Sequence, residues 1–398
     1  MFLSLFIIFF VGIIGGILLE KIRIPKIIWY LILGILMSSS VFNIIDEGLL
    51  KISSYLRQIA LVIILTRSGL SLDLKGLKEI GRPAILMCFL PALFEIVGIA
   101  IFGPILLGIS ILEALLLGSV LAAVSPAVVA PRMIKLIETN YGKNKRVPEL
   151  ILAGASCDDI FVIVLFYSFK NLVATNSFNA LSIINIPISI LSGIVLGILL
   201  GFSVSFVMKK FKINTIIQVI VILALSFGSI ALEEFVKPYF VISSLLGIIV
   251  MSLIISLKNK NDAKKIQSSY NSLWQGFEIL LFVLVGASIN ISYAISSTGL
   301  IIIGLVGISL LFRTIGVLVS LIFTNYNLKE RIFIIISYLP KATVQASIGG
   351  IALAEGLACG EVILTAAIIV ILITAPLGAI LMDNTYKKLL SYDNIELE

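Results

Sequence analysis

The stretch LILAGASCDDIFVIVLFYSF, residues 150–169, is long and apolar enough to cross a bilayer, yet it carries two adjacent carboxyl groups, Asp158 and Asp159, near its middle. A single ionisable group at the centre of a membrane helix costs roughly 3 kcal/mol on insertion scales. A sequence that keeps two of them at that depth points to an ion or proton pathway.

The rest of the chain has the composition of a polytopic membrane protein. Its 398 residues are 60% hydrophobic and 13% charged, against about 25% charged in a soluble domain, which leaves no room for a sizeable soluble domain. The formal charge of +7 does not suggest nucleic acid, because the basic residues lie in short loops between apolar runs. There is no histidine, so the usual metal ligand and neutral-pH proton carrier are missing. Proton chemistry falls to carboxyls or lysine, and no cofactor is implied. Cys88, Cys157 and Cys359 lie in or beside apolar runs without CxxC spacing and read as packing residues. Phe2 to Leu19 lacks a basic leader and a small-x-small cleavage site, so it reads as a first span rather than a removed signal.

About thirteen runs of about 20 residues each follow one another along the sequence, with cores at 2–19, 27–44, 53–72, 83–106, 112–134, 149–170, 186–208, 214–232, 239–257, 272–290, 298–324, 331–353 and 362–382. They are continuously apolar rather than alternating, which means helices and not a barrel. Basic residues set the orientation. With the N-terminus outside, only Lys51, Arg57, Lys170 and Lys237 fall in outer loops and Arg67, Arg313 and Lys341 within spans; the other 22 of the 29 Lys and Arg face inward. The expectation is a multi-pass protein of the cell membrane with a cytoplasmic C-terminus.

LTRSGLSLD (65–73) in the third run resembles LVGASINIS (284–292) in the tenth. An offset of seven spans is odd, so the copies have opposite orientation. Residues 1–174 and 213–398 then form inverted six-helix repeats joined by a linker helix over 175–212, an architecture of secondary transporters. Helix breakers fall at matching places: Val124-Ser125-Pro126 in the fifth run and Leu339-Pro340-Lys341-Ala342-Thr343 in the twelfth. Proline frees a backbone carbonyl in the turn before it, and paired broken helices point to a transporter's binding site. Asp158, Asp159 and Lys341 all lie about 10 residues in from the inner face, or ~15 Å; Ser125 reaches a similar depth from outside.

Adjacent helical residues point about 100° apart, so one of the two aspartates can pair with Lys341 while the other faces a cation. Hard cations prefer oxygen, which a carboxylate, the hydroxyls of Ser125 or Thr343, and carbonyls freed at the breaks can supply. A carboxylate that holds either a proton or a cation, but not both, performs exchange. Glu95 and Arg313 are also mid-span, and the repeat offset maps Glu95 to within one residue of Arg313, which suggests a structural ion pair across the pseudo-symmetry axis. Arg67 reads as snorkelling or capping carbonyls, and Glu278 as a solvated vestibule residue.

The motifs SPAVVAPRM (125–133), AGASCDDI (153–160) and LPKATVQASIGG (339–350), in that order, resemble the cation:proton antiporter-2 (monovalent cation:proton antiporter) family, in its sodium/proton antiporter branch. The resemblance covers the whole chain. It implies an all-α sodium/proton antiporter fold with about thirteen transmembrane helices, inverted repeats and two crossed broken helices. It also implies a homodimer whose dimerisation and ion-translocating core domains are interleaved across both repeats, and elevator-type alternating access. By the same resemblance, Asp159 is the main cation and proton carrier, Asp158 the partner of Lys341, and both aspartates line the metal-ion site. Val124, Ser125 and Pro126 belong to the first broken helix, and Pro340 and Thr343 to the second. Exchange that moves net charge is part of the same pattern. A regulatory nucleotide-binding tail is not expected, since no long segment follows the last span.

Three functions compete on this evidence. The first is exchange of Na⁺ or Li⁺ for protons, with K⁺ as an alternative that oxygen ligands alone do not exclude. The second is cation-coupled symport of an organic anion on a similar fold, which has little use for a buried lysine beside two aspartates. The third, intramembrane aspartyl proteolysis, needs carboxyls facing each other from different helices, and adjacent aspartates on one helix do not provide that; the chain does not read as an enzyme.

Overall fold

The computed structural model describes residues 1–72, 74–175, 180–211, 213–237 and 239–392. Asp73 and Lys212 lie outside the described residues, as does most of the 175–179 junction where the linker helix was expected to begin. Helices follow one another as α1 (Phe2–Lys21), α2 (Lys26–Met37), α3 (Glu47–Lys51), α4 (Ser53–Ser71), α5 (Leu74–Ile80), α6 (Arg82–Met87), α7 (Leu90–Leu107), α8 (Ile111–Leu121), α9 (Pro126–Glu138), α10 (Val147–Thr175), α11 (Ala180–Phe211), α12 (Thr215–Val236), α13 (Ser244–Lys258), α14 (Lys260–Ala287), α15 (Ile291–Ala294), α16 (Ser297–Ser320), α17 (Leu328–Ser337), α18 (Thr343–Ile348), α19 (Ile351–Ala354) and α20 (Gly360–Leu389). Among the described residues the only sheet-like pairing is a single bridge between Tyr141 and Tyr392.

Among the described residues, eight stretches are long and apolar enough to cross a membrane: α1, α6–α7, α8–α9, α10, α11 from Pro187, α12, α16 and α20. The other five expected spans fall on helices too. α2 and α13 are short apolar helices, and α17 to α19 are broken into pieces. α4 is interrupted by Arg57-Gln58 and Arg67, and α14 opens on a charged stretch with Lys260, Asp262, Lys264 and Lys265.

Local sequence explains several boundaries. Ser110 caps α8 and Asn327 caps α17, each in a capping box with a glutamate three residues on, Glu113 and Glu330. α9 opens on Pro126, where a missing N–H costs nothing.

The chain divides into two compact units, and both draw on both halves of the sequence. The first comprises residues 1–54, 73–170 and 279–398. Its centre is α20, buried on all sides from Ile363 to Ile371 and along one face from there to Met382. Close helix approaches there depend on glycine. A Cβ on Gly34 would lie 2.0 Å from the Val283 carbonyl oxygen, and one on Gly98 2.7 Å from the Phe312 ring, where α7 packs on α16.

The second unit comprises residues 55–72 and 171–278. Its main seam is α11 against α13. Gly193, Gly197 and Gly201 form a small-residue stripe at four-residue spacing, and a Cβ on the first two would meet the carbonyl oxygens of Ser243 and Gly247, each at 2.5 Å. Without a hydrophobic drive between helices in lipid, such backbone-close packing is what holds them. Glu278, expected in a solvated vestibule, is instead buried. Its carboxylate accepts from Trp274 Nε1 at 3.2 Å, one turn earlier on the same face, and Arg67 lies within electrostatic reach of it.

Gly197→Leu should destabilise the protein by about 1–3 kcal/mol through overpacking. Gly228→Leu, at a glycine with nothing within 4 Å of its would-be Cβ, should leave stability nearly unchanged. Thermal melting in detergent compares the two; equal melting points would show that the α11–α13 seam is not closely packed.

Candidate functional site

The site is built where two helices stop. A proline clashes with the carbonyl four residues back. Pro126 thereby frees the Ala122 carbonyl, and α8 ends at Leu121. In the second run α17 ends at Ser337, before Leu339-Pro340, and α18 starts only at Thr343. The two breaks touch directly: the Ser125 N–H donates to the Pro340 carbonyl at 2.8 Å. The amide of Gln345 donates across the gap to the carbonyls of Val120 (3.1 Å), Leu121 (3.4 Å) and Ala123 (2.9 Å). The Lys341 N–H donates to Thr374 Oγ1 of α20 at 3.0 Å.

Four fully buried charges lie around this crossing. Arg313 of α16 reaches Glu95 of α7 through Nη1 at 2.7 Å and Asp158 of α10 through Nη2 at 3.0 Å. Its Nε donates to the Tyr338 carbonyl at 2.7 Å, and its guanidinium lies 5.3 Å from the centre of the Tyr338 ring. Lys341 Nζ pairs with Glu95 at 2.6 Å. Lys341 Nζ and Arg313 Nη1 both donate to the freed Ala122 carbonyl, and Ser309 adds a hydroxyl to Glu95 at 3.1 Å. On the other side, the Val124 N–H near the start of α9 donates to Asp158 Oδ2 at 2.8 Å. The arrangement follows the helix dipoles: cations at the C-terminal end of α8, a carboxylate near the N-terminal end of α9.

The expected pairing of Asp158 with Lys341 is therefore corrected. Asp158 pairs with Arg313, and Lys341 pairs with Glu95. Depth alone placed Lys341 level with Asp158, but the lysine leaves the break on the side of α7, where Glu95 is within reach. Glu95 and Arg313 are in contact, but as members of a set of four rather than an isolated pair. The freed carbonyls, expected as cation ligands, already accept hydrogen bonds from Gln345, Lys341 and Arg313.

Oxygens remain. Ser125 Oγ, Thr343 Oγ1, Gln345 Oε1, Asp158 Oδ1 and Asp159 Oδ1 are buried without a hydrogen-bond partner. Leaving buried polar atoms unmatched costs roughly 1–3 kcal/mol each, and here five of them belong to the breaks and to the aspartate pair. An all-oxygen set that includes carboxylates suits a hard cation, not a thiophilic one. Val124, Pro126 and Pro340 contribute through the backbone only. Sequence reasoning missed Gln345, Ser309, Tyr338 and Thr374. Of these, only Gln345 lies inside the quoted LPKATVQASIGG motif after the helix break, and its amide carries no charge to single it out.

Two broken helices crossing at a buried carboxylate pair define a secondary transporter. The transmembrane sodium/hydrogen exchanger family matches residues 5–383. The chain is 33% identical over 404 residues to sodium/hydrogen exchanger 9B2 of Homo sapiens, covering 97% of this chain and 75% of that one. It is 34% identical over 411 residues to sodium/hydrogen exchanger 9B1 of the same species, covering 98% and 78%. Its fold is similar to that of the sodium proton antiporter MjNhaP1 from Methanocaldococcus jannaschii, with a TM-score of 0.83, 97% of each chain covered and 19% identity. The protein belongs to the sodium/hydrogen exchanger family; the antiporter-2 label read from the motifs differs from this only in the subdivision it names.

Arg313→Gln leaves Glu95 with only Lys341 and Asp158 without a cation. It should cost about 3–5 kcal/mol, the usual loss when one partner of a buried ion pair is removed. Combining it with Glu95→Gln should recover part of that loss, because Lys341 and Asp158 then remain as one cation and one anion. Melting temperatures of the four proteins decide this; strictly additive losses would show that the two groups are not coupled.

Proposed function

We propose that the chain is a secondary-active antiporter that exchanges Na⁺ (or Li⁺) for protons across the cell membrane. The cation and the proton compete for Asp159. The observation that carries this reading is the charge balance of the site. Glu95 and Asp158 are matched by Arg313 and Lys341 within one bonded set, whereas Asp159, 3% exposed, stands outside it with an unpartnered Oδ1. A carboxylate without a fixed counter-charge must take a proton or a cation to stay buried. Asp158, held by Arg313 and Val124, offers Oδ1 as a ligand without itself exchanging. Ser125 and Thr343 supply neutral oxygens. The names of the relatives, sodium/hydrogen exchangers, support Na⁺ as the cation.

The same balance bears on stoichiometry. The family pattern read from the motifs favoured exchange that moves net charge, with Lys341 or Asp158 giving up a proton. With both tied to partners of opposite charge, only Asp159 changes state. The loaded site is then neutral with Na⁺ bound and neutral with H⁺ bound, and each cycle exchanges one for one. Such a cycle does not respond to membrane voltage.

The bonds linking α8–α9, α10, α16 and α17–α18 favour movement of the site as one block, in an elevator-type cycle. The excess of basic residues in one set of loops favours an outer N-terminus and a cytoplasmic C-terminus. A homodimer completes the proposal, on the strength of the family resemblance.

Proteoliposomes loaded with protons should release them when Na⁺ is added outside, and Asp159→Asn should abolish the release. The variant should melt at or above the parent temperature, because it removes an unpaired buried charge. Release with K⁺ alone would reassign the cation, and normal exchange by Asp159→Asn would sink the mechanism.

On a solid-supported membrane, a Na⁺ jump should produce no steady transport current in a preparation that exchanges ions. A current would show that a second proton moves, and would return Lys341 to the cycle.

A further inference from the structure

The cysteines, read from the sequence as packing residues, are not equivalent in the fold. Cys359 is buried, whereas Cys88 and Cys157 are each partly exposed. Cys88 occupies the break between α6 and α7, and Cys157 immediately precedes the aspartate pair on α10. The two segments lie against each other over three successive contacts. A Cβ on Gly154 would stand 2.9 Å from Met87 Cβ. One turn on along the same seam, Cys157 comes opposite Cys88, near enough for the two thiols to act on each other electrostatically. One turn further, the rings of Phe161 and Phe89 stand 6.0 Å apart. Cys88 Sγ also donates to the Ala84 carbonyl at 3.1 Å, which holds it in place. The thiols lie within electrostatic reach of Asp158.

We propose that Cys88 and Cys157 form an oxidisable dithiol beside the ion site, closed to a disulfide by a peroxide-class oxidant. One thiol gives two electrons to the peroxide, forming a sulfenic acid and releasing one water; the second thiol displaces the sulfenic oxygen as another water and forms the S–S bond. Overall, two thiols and one hydrogen peroxide give one disulfide and two waters. Hydrogen peroxide is small and uncharged, so it reaches thiols that a charged reagent in a membrane span would not. Drawing the sulfurs together to bond length, about 2 Å, pulls on α10 one residue before Asp158. The Asp158 link to Val124 and Arg313 is then strained, and cation affinity is what changes.

The formation of the bond is independent of the transport reading; its consequence for exchange rests on that reading. The purified full-length protein, treated with hydrogen peroxide and then denatured, should lose two of its three labelable thiols. Peptide mapping without reductant should join the segments bearing Cys88 and Cys157. Dithiothreitol should restore all three thiols. Cys88→Ser and Cys157→Ser should each prevent the cross-link. Three labelable thiols after treatment, or a cross-link that involves Cys359, would overturn the assignment. In proteoliposomes, the oxidised protein should show a raised KM for Na⁺ that dithiothreitol reverses and that neither variant shows. An unchanged KM in protein proven to be cross-linked would overturn the effect on the site while leaving the disulfide established. Absence of exchange in untreated protein would instead count against the transport reading.

Discussion

Arg313 joins carboxylates from two different helices, and the site depends on that bridge. A guanidinium is planar and always charged, and it offers donors in several directions. Here it uses them on Glu95 of α7, Asp158 of α10, and the carbonyls of Ala122 and Tyr338 at the two helix breaks. A lysine at the same place would be a single point charge and could not tie four elements together. Burying ions is repaid only when their geometry is good and their remaining donors and acceptors are matched. Arg313 meets that condition for itself and largely for Glu95. For Asp158 it leaves one oxygen unmatched.

The two broken helices depend on this bridge in turn. A helix interrupted inside a membrane exposes polar groups that lipid cannot satisfy. At α8 the exposed carbonyls are covered by the amide of Gln345 and by the two cations; at α17 the carbonyls of Tyr338 and Pro340 are covered by Arg313 and the Ser125 N–H. Each break thus supplies the donors that the other lacks. Close packing makes this possible: a Cβ on Gly378 would stand 2.4 Å from the Pro340 ring, so α20 can back the second break directly.

Much of this was legible in the sequence, for definite reasons. Pro126 and Pro340 announce their breaks because a missing N–H has the same consequence in any context. Charges inside apolar runs stand out because lipid tolerates so few of them, which singled out Glu95, Asp158, Asp159, Arg313 and Lys341. What the sequence does not carry is azimuth. Depth along a span can be counted in residues, but the side a lysine takes on leaving a broken helix cannot, so Lys341 was assigned the wrong carboxylate. Neutral polar residues are harder still. Gln345 differs little in composition from any membrane glutamine until its amide is seen spanning the gap. Glu278 was misjudged because Trp274, its partner one turn away, is apolar by composition and polar only at Nε1. The glycine stripe at 193, 197 and 201 is readable from its four-residue spacing alone.

Gln345 has a further consequence for how such a site can change over evolutionary time. Because its amide and the two cations already engage the carbonyls of residues 120 to 123, the backbone is committed to holding the crossing together. Under the proposed exchange, the buried side-chain oxygens without partners are the candidates to meet the ion, among them those of two small hydroxyl residues, Ser125 and Thr343. Backbone ligands are fixed by the fold, whereas a hydroxyl can be exchanged for hydrogen, methyl or amide by one substitution with little disturbance to the frame. Under the proposed exchange, preference among monovalent cations is thereby set apart from the architecture that makes the site exist, and a change at either hydroxyl leaves the crossing in place.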